Sequence, residues 1–124
     1  MGLDQWIFKM KSGSEPASDD ESVIYWRKAN QIHGYMDNLF GGVEDCGNYV
    51  ISINQLKDLK ETCEQVLKNH SLAKDLLPPM GGFFFGSYEF DEYYFDDLKF
   101  TIKSIQDLIE NDTGEYEYYY HAWW

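Results

Sequence analysis

The spacing of apolar and polar positions changes period several times along the chain. From Leu3 to Lys11 it alternates: Trp6, Phe8 and Met10 share one face, and Gln5, Ile7, Lys9 and Lys11 the other. A period of two predicts a strand. Residues 12–21 break the pattern with Gly13, Pro16 and the acids Glu15, Asp19, Asp20 and Glu21, which predicts a mobile acidic loop. Tyr25, Ala29, Ile32, Met36 and Phe40 follow at spacings of 4, 3, 4 and 4, one face of a helix over about 23–39. Gly34 lies inside that pattern and Gly41-Gly42 ends it.

Asn48 to Ser52 predicts a short strand. Ser52 and Gln55 form an S-x-x-Q capping box that opens a second helix, with Leu56, Leu59, Cys63, Val66 and Leu67 as its apolar stripe. Ser71 to Leu77 predicts a short helix that Pro78-Pro79 ends. Gly81 to Phe90 predicts an irregular or short extended segment whose Phe residues plug the core. A third helix spans about Asp91 to Glu110, with Phe95, Leu98, Ile102, Ile105, Leu108 and Ile109 toward the core. Asp91, Glu92, Asp96 and Asp97 occupy its first two turns, where negative charge suits the helix dipole. The tail from Glu115 to Trp124 predicts a final strand, with Tyr116, Tyr118, Tyr120 and Ala122 on one face and Glu117, Tyr119, His121 and Trp123 on the other. The expected fold is one α+β domain over residues 1–124. A small sheet holds the N- and C-terminal strands, with room for Asn48–Ser52, and about three helices cover one face.

Composition sharpens this picture. The chain has 124 residues, a net charge of -12 and 18% aromatic residues. Such a length suits one domain, and the aromatic content argues against global disorder. The charge opposes direct binding to nucleic acid or to an anionic membrane. No run approaches a membrane-spanning length and no basic start leads into an apolar stretch, so neither a transmembrane helix nor a signal peptide is expected. Cys46 and Cys63 have no local spacing pattern, which suits reduced thiols in a cytoplasm.

Candidate chemistry is sparse. Gly81 to Ser87 has a G-x-x-x-x-G-S outline but lacks the lysine of a phosphate-binding loop. Cys46, Cys63, His33, His70 and His121 form no nucleophile or zinc-ligand pattern. The acidic clusters lack the calcium-loop spacing. No catalytic residue, metal or cofactor is therefore expected.

Surface recognition is the stronger expectation. Acids gather at Glu15–Glu21, Glu89–Asp97 and Asp107–Glu117, and the last two clusters interleave with tyrosines. Carboxylates spaced along a rigid surface can imitate phosphates, and Tyr is enriched in interfaces. The expected partner-binding residues are Glu89, Asp91, Glu92, Tyr93, Tyr94, Asp96, Asp97, Glu115, Tyr116 and Glu117. They would face a basic, nucleic-acid-binding surface of another protein. Large rings on both faces of the tail strand mean either two buried faces or an exposed aromatic patch, and an edge strand could pair in a homodimer.

Four stretches together resemble a group of small phage- and prophage-encoded proteins. They are Gly2-Leu-Asp-Gln-Trp-Ile-Phe8, Tyr25-Trp-Arg-Lys-Ala-Asn-Gln-Ile-His33, Gly82-Phe-Phe-Phe-Gly-Ser87 with Asp91-Glu-Tyr-Tyr94, and the Tyr-rich tail ending in Trp124. The resemblance brings no activity and no catalytic residues with it. It implies a bacterial host cytoplasm and a host target. Small acidic phage proteins often inhibit restriction enzymes, CRISPR effectors and other defence complexes by resembling nucleic acid. Within the second motif, Trp26, Asn30 and His33 would share a helix side at i, i+4 and i+7. They could anchor that helix to the Phe83–Ser87 segment as a polar network. Alternatively, with Phe84 and its neighbours Phe83–Phe85, they could line a small-ligand or enzymatic pocket.

Overall fold

The structure is a computed structural model that describes residues 2–80 and 90–124. Four strands form one antiparallel sheet: β1 (Asp4–Lys11), β2 (Glu21–Arg27), β3 (Asn48–Ile51) and β4 (Tyr116–Trp123), in the order β2-β1-β4-β3. The two terminal strands both lie in the sheet, as expected, and form its central pair. Their register is continuous from Asp4↔Trp123 to Lys11↔Tyr116. β3 pairs with β4 from Asn48↔His121 to Ile51↔Tyr118. β2 pairs with β1 and carries a bulge, since Ile7 faces Ile24 but Phe8 faces Ser22.

Helices α1 (Asn30–Phe40), α2 (Ile53–Lys68), α3 (Ala73–Leu76) and α4 (Glu92–Asn111) follow, with a 3₁₀ turn at His70–Leu72. Ser52 and Gln55 close both hydrogen bonds of the capping box. Asp91 caps α4 by accepting from the Tyr94 N–H at 3.1 Å. Gly41, with φ of 70°, ends α1 in the left-handed geometry that glycine adopts without steric cost. Gly34 has a packing reason: a Cβ there would lie 3.3 Å from the Met80 Cβ.

The helix expected over 23–39 is corrected. Residues 21–27 are strand β2, and α1 starts only at Asn30. Ile24 and Trp26 point into the core at a period of two, while Tyr25, assigned above to a helical stripe, is 42% exposed. Lys28, with φ of 58°, turns the chain between strand and helix. The acidic segment is the hairpin connection of β1 and β2, and it is fastened: Asp20 Oδ2 accepts from the Ala17 N–H and from the Tyr119 hydroxyl.

One sheet face carries the core. Leu3, Ile7, Ile24, Trp26, Ile51, Tyr118, Tyr120 and Ala122 pack with Ile32 and Met36 of α1, Leu56, Leu59 and Cys63 of α2, and Leu98 and Ile105 of α4. Each fully buried side chain of this size stabilises the fold by about 1.5–3 kcal/mol. The other face belongs to Trp6, Phe8, Met10, Tyr25, Tyr119 and His121, by the alternation of the strands. Among the described residues no helix is long and apolar enough to cross a membrane.

Candidate functional site

The expected Trp26–Asn30–His33 pocket does not assemble as a helix face. Trp26 lies on β2, Asn30 opens α1, and His33 lies one turn into it. All three are at most 2% exposed. The Trp26 indole donates to Thr101 Oγ1 at 2.8 Å, and that hydroxyl donates to the Asp97 carbonyl at 2.7 Å, joining β2 to α4. His33 joins α1 to the sheet. The Tyr120 hydroxyl donates to Gln5 Oε1 at 2.6 Å, and Gln5 Nε2 donates to the Ala29 carbonyl. Having given its proton to Gln5, the Tyr120 oxygen accepts from His33 Nδ1 at 3.0 Å, so that nitrogen carries the proton. Burial lowers the His33 pKa, which keeps the ring neutral. Trp26 and His33 thus sit in polar networks that join β2 to α4 and α1 to the sheet, and the expected anchoring to the Phe83–Ser87 segment lies outside the described residues. Phe84, the whole Phe83–Phe85 stretch and Glu89 lie outside the described residues.

The expected acidic, Tyr-rich surface divides. Tyr94 is 5% exposed and its hydroxyl donates to the Leu77 carbonyl, so it belongs to the core and not to a partner surface. Asp91 is occupied as a helix cap. Asp97 is partly buried, accepts from Gln31 Nε2 at 3.3 Å, and has its pKa raised to about 6, chiefly by burial. Glu92, Tyr93 and Asp96 remain exposed, Tyr93 at 74%. Glu115, Tyr116 and Glu117 lie beyond the far end of α4, whose 20 residues span roughly 30 Å. The two acid–Tyr clusters are thus separate patches.

Three tyrosines are hydrogen-bonded to acids within the chain. Tyr25 donates to Asp4, Tyr118 to Asp112 at 2.9 Å, and Tyr119 to Asp20 at 2.6 Å. Burial, and then the Asp112 acceptor, push the Tyr118 hydroxyl up to about 12. Each such phenol is a fixed donor at neutral pH.

The open sheet face is where aromatic residues and acids meet outside the core. Trp6 lies 5.5 Å from Tyr25, 5.9 Å from Phe8 and 5.7 Å from His121, ring centre to ring centre. Phe8 lies 5.4 Å from Tyr119. These are the separations of favourable ring pairs. Pro16, Ala17 and Ser18 of the acidic hairpin and Asn48 of β3 complete a groove of about 350 Å³ over Trp6, Phe8, Tyr119 and His121. Tyr119 is only 3% exposed beneath the hairpin. His121 Nδ1 lies 2.7 Å from Asn48 Oδ1 and donates to it, because a carboxamide oxygen only accepts. Sequence alternation places these rings on one strand face each, but only the β1–β4 register makes them neighbours.

Burial pushes Cys63 up to about 12, and desolvation, then the neighbouring Asp45, also raises Cys46, so both thiols are held toward the protonated form. Among the described residues no group of His, Cys, Asp and Glu is arranged to hold a metal ion. Comparison of the chain with protein-family models, curated proteins and solved structures gave no match.

Proposed function

We propose that this is a non-enzymatic protein that binds a basic surface of another protein through its carboxylates. The resemblance to phage-encoded proteins makes the partner a host protein that handles nucleic acid, and the mode of action anti-defence inhibition by mimicry of nucleic acid. The observation that carries the reading is the unbalanced surface charge. The net charge is -12, and among the described residues the ion pairs are Lys9–Glu21, Lys60–Glu64 and Lys103–Asp107. The exposed Glu92, Asp96 and Glu115 stand outside these pairs. A protein with such a field steers toward basic partners, and the attraction weakens with salt.

The test is capture from host extract. The expected result is a nucleic-acid-binding protein that is retained at about 50 mM salt and released well below about 500 mM. Competition by duplex DNA and loss of capture by Glu92→Lys/Asp96→Lys/Glu115→Lys should accompany it. Retention at high salt, or by the charge-reversed variant, would refute the reading. Asp91 and Asp97 are left intact in that variant because both have structural partners.

A further inference from the structure

We propose that the groove on the open sheet face receives an arginine side chain of the partner, stacked on the Trp6 and Phe8 rings. The inference deepens the binding role proposed above and rests on it. Three observations converge on a cation. First, the lining is aromatic: Trp6, Phe8, Tyr119 and His121 form the floor. Ring faces carry negative potential, and Trp attracts a cation most strongly. Second, among the described residues no Lys or Arg lines the groove, and Lys9, next along β1, is held by Glu21 at 2.9 Å. Third, the hairpin wall brings its own acid. Asp20 Oδ2 lies 2.6 Å from the Tyr119 hydroxyl and 2.8 Å from the Ala17 nitrogen, both of groove residues.

Volume and shape select within cations. A groove of about 350 Å³ lies at the small end of ligand sites, enough for a guanidinium and its stem. A guanidinium is planar, stacks on aromatic rings and sheds water more readily than an ammonium. A cation lying over Trp6 is drawn in by the field of the whole chain, whereas a nucleotide, whose base can also stack, would bring its phosphate against that field. The exposed Tyr25 and Trp123 belong to a different cavity, where Arg27 already places a guanidinium opposite Asp4.

The probe is a short alternating arginine–glycine peptide, titrated into the full chain and followed by the indole N–H and backbone NMR signals. Its citrulline counterpart keeps the shape and removes the charge. The expected result is saturable movement of the Trp6, Phe8 and His121 signals with the arginine peptide and at least about tenfold weaker binding of the citrulline peptide, which lacks the cation. Trp6→Leu and, independently, His121→Ala with a melting check on both, should weaken the arginine peptide by about tenfold and about threefold. Equal binding of the citrulline peptide means an apolar occupant and overturns the proposal. So does preferential binding of a uridylate oligonucleotide. Concentration-dependent dimerisation that shifts the same signals without peptide assigns the face to a second copy and also overturns it. Salt-sensitive peptide binding that both variants leave unchanged removes the groove but leaves the acidic-surface reading standing. Groove binding by the peptide with no basic host protein captured does the reverse.

Discussion

Single side chains explain why so acidic a chain folds. Tyr25, Tyr118 and Tyr119 donate hydrogen bonds to Asp4, Asp112 and Asp20, the last two part-buried, so three carboxylates gain neutral partners on folding. A hydrogen bond to a charged acceptor contributes about 1.5–3 kcal/mol, more than a neutral pair. Asp97 is the exception, because burial there outweighs the Gln31 bond and its pKa rises to about 6. Folded Asp97 therefore holds its proton more tightly than the unfolded chain, where a carboxyl of this type titrates near 3.8. Its contribution to stability is full below about pH 4 and is lost as pH climbs through about 6. Asp97→Asn mimics the protonated form. It should melt with wild type near pH 4 and above wild type at pH 7, where the charged carboxyl is buried beside Asp96 and Asp91. Equal melting curves at pH 7 would show that burial of this carboxyl is not costly.

Elements differ in how plainly the sequence announces them. α2 and α4 are legible because their stripes and caps are local: Ser52 with Gln55, and Asp91 ahead of Tyr94. The terminal strands are legible from alternation alone. β2 is not, because Tyr25, Ala29, Ile32, Met36 and Phe40 keep helical spacing across a junction where Lys28 turns the chain. The true signal, Ile24 and Trp26 at period two, is too short to compete. Which carboxylates are engaged is not legible for another reason: the partner can lie as far away in sequence as Tyr119 does from Asp20, 99 positions on. Asp91 shows how an element claims an apparent site residue. Asp91→Asn keeps a good cap and should leave the unfolding free energy within about 0.5 kcal/mol, whereas Asp91→Ala should cost about 1 kcal/mol. Urea denaturation of both variants checks it. Equal losses would mean that the charge, not the cap, is what α4 needs.

At the scale of the whole molecule, folding and binding should respond to salt with opposite signs. Folding gathers a net charge of -12 into one domain, and its compact state repels itself. The ion pairs that salt would weaken are modest. Lys60–Glu64 and Lys103–Asp107 are helix pairs at i, i+4, and Glu21 of the Lys9 pair is 66% exposed. The two helix pairs contribute about 0.3–0.5 kcal/mol each. Screening shortens from about 10 Å at 0.1 M to about 3 Å at 1 M, so added salt relieves more repulsion than attraction. The melting temperature should therefore rise between those concentrations. Binding of a basic partner should fall over the same range, because there the screened term is attraction between unlike charges. The opposition matters for interpretation: a partner released by salt from a chain that salt stabilises has not been lost through unfolding. A melting temperature that falls with salt would mean that the surface ion pairs outweigh the repulsion. The unbalanced charge would then be paired within the chain, not held open for a partner.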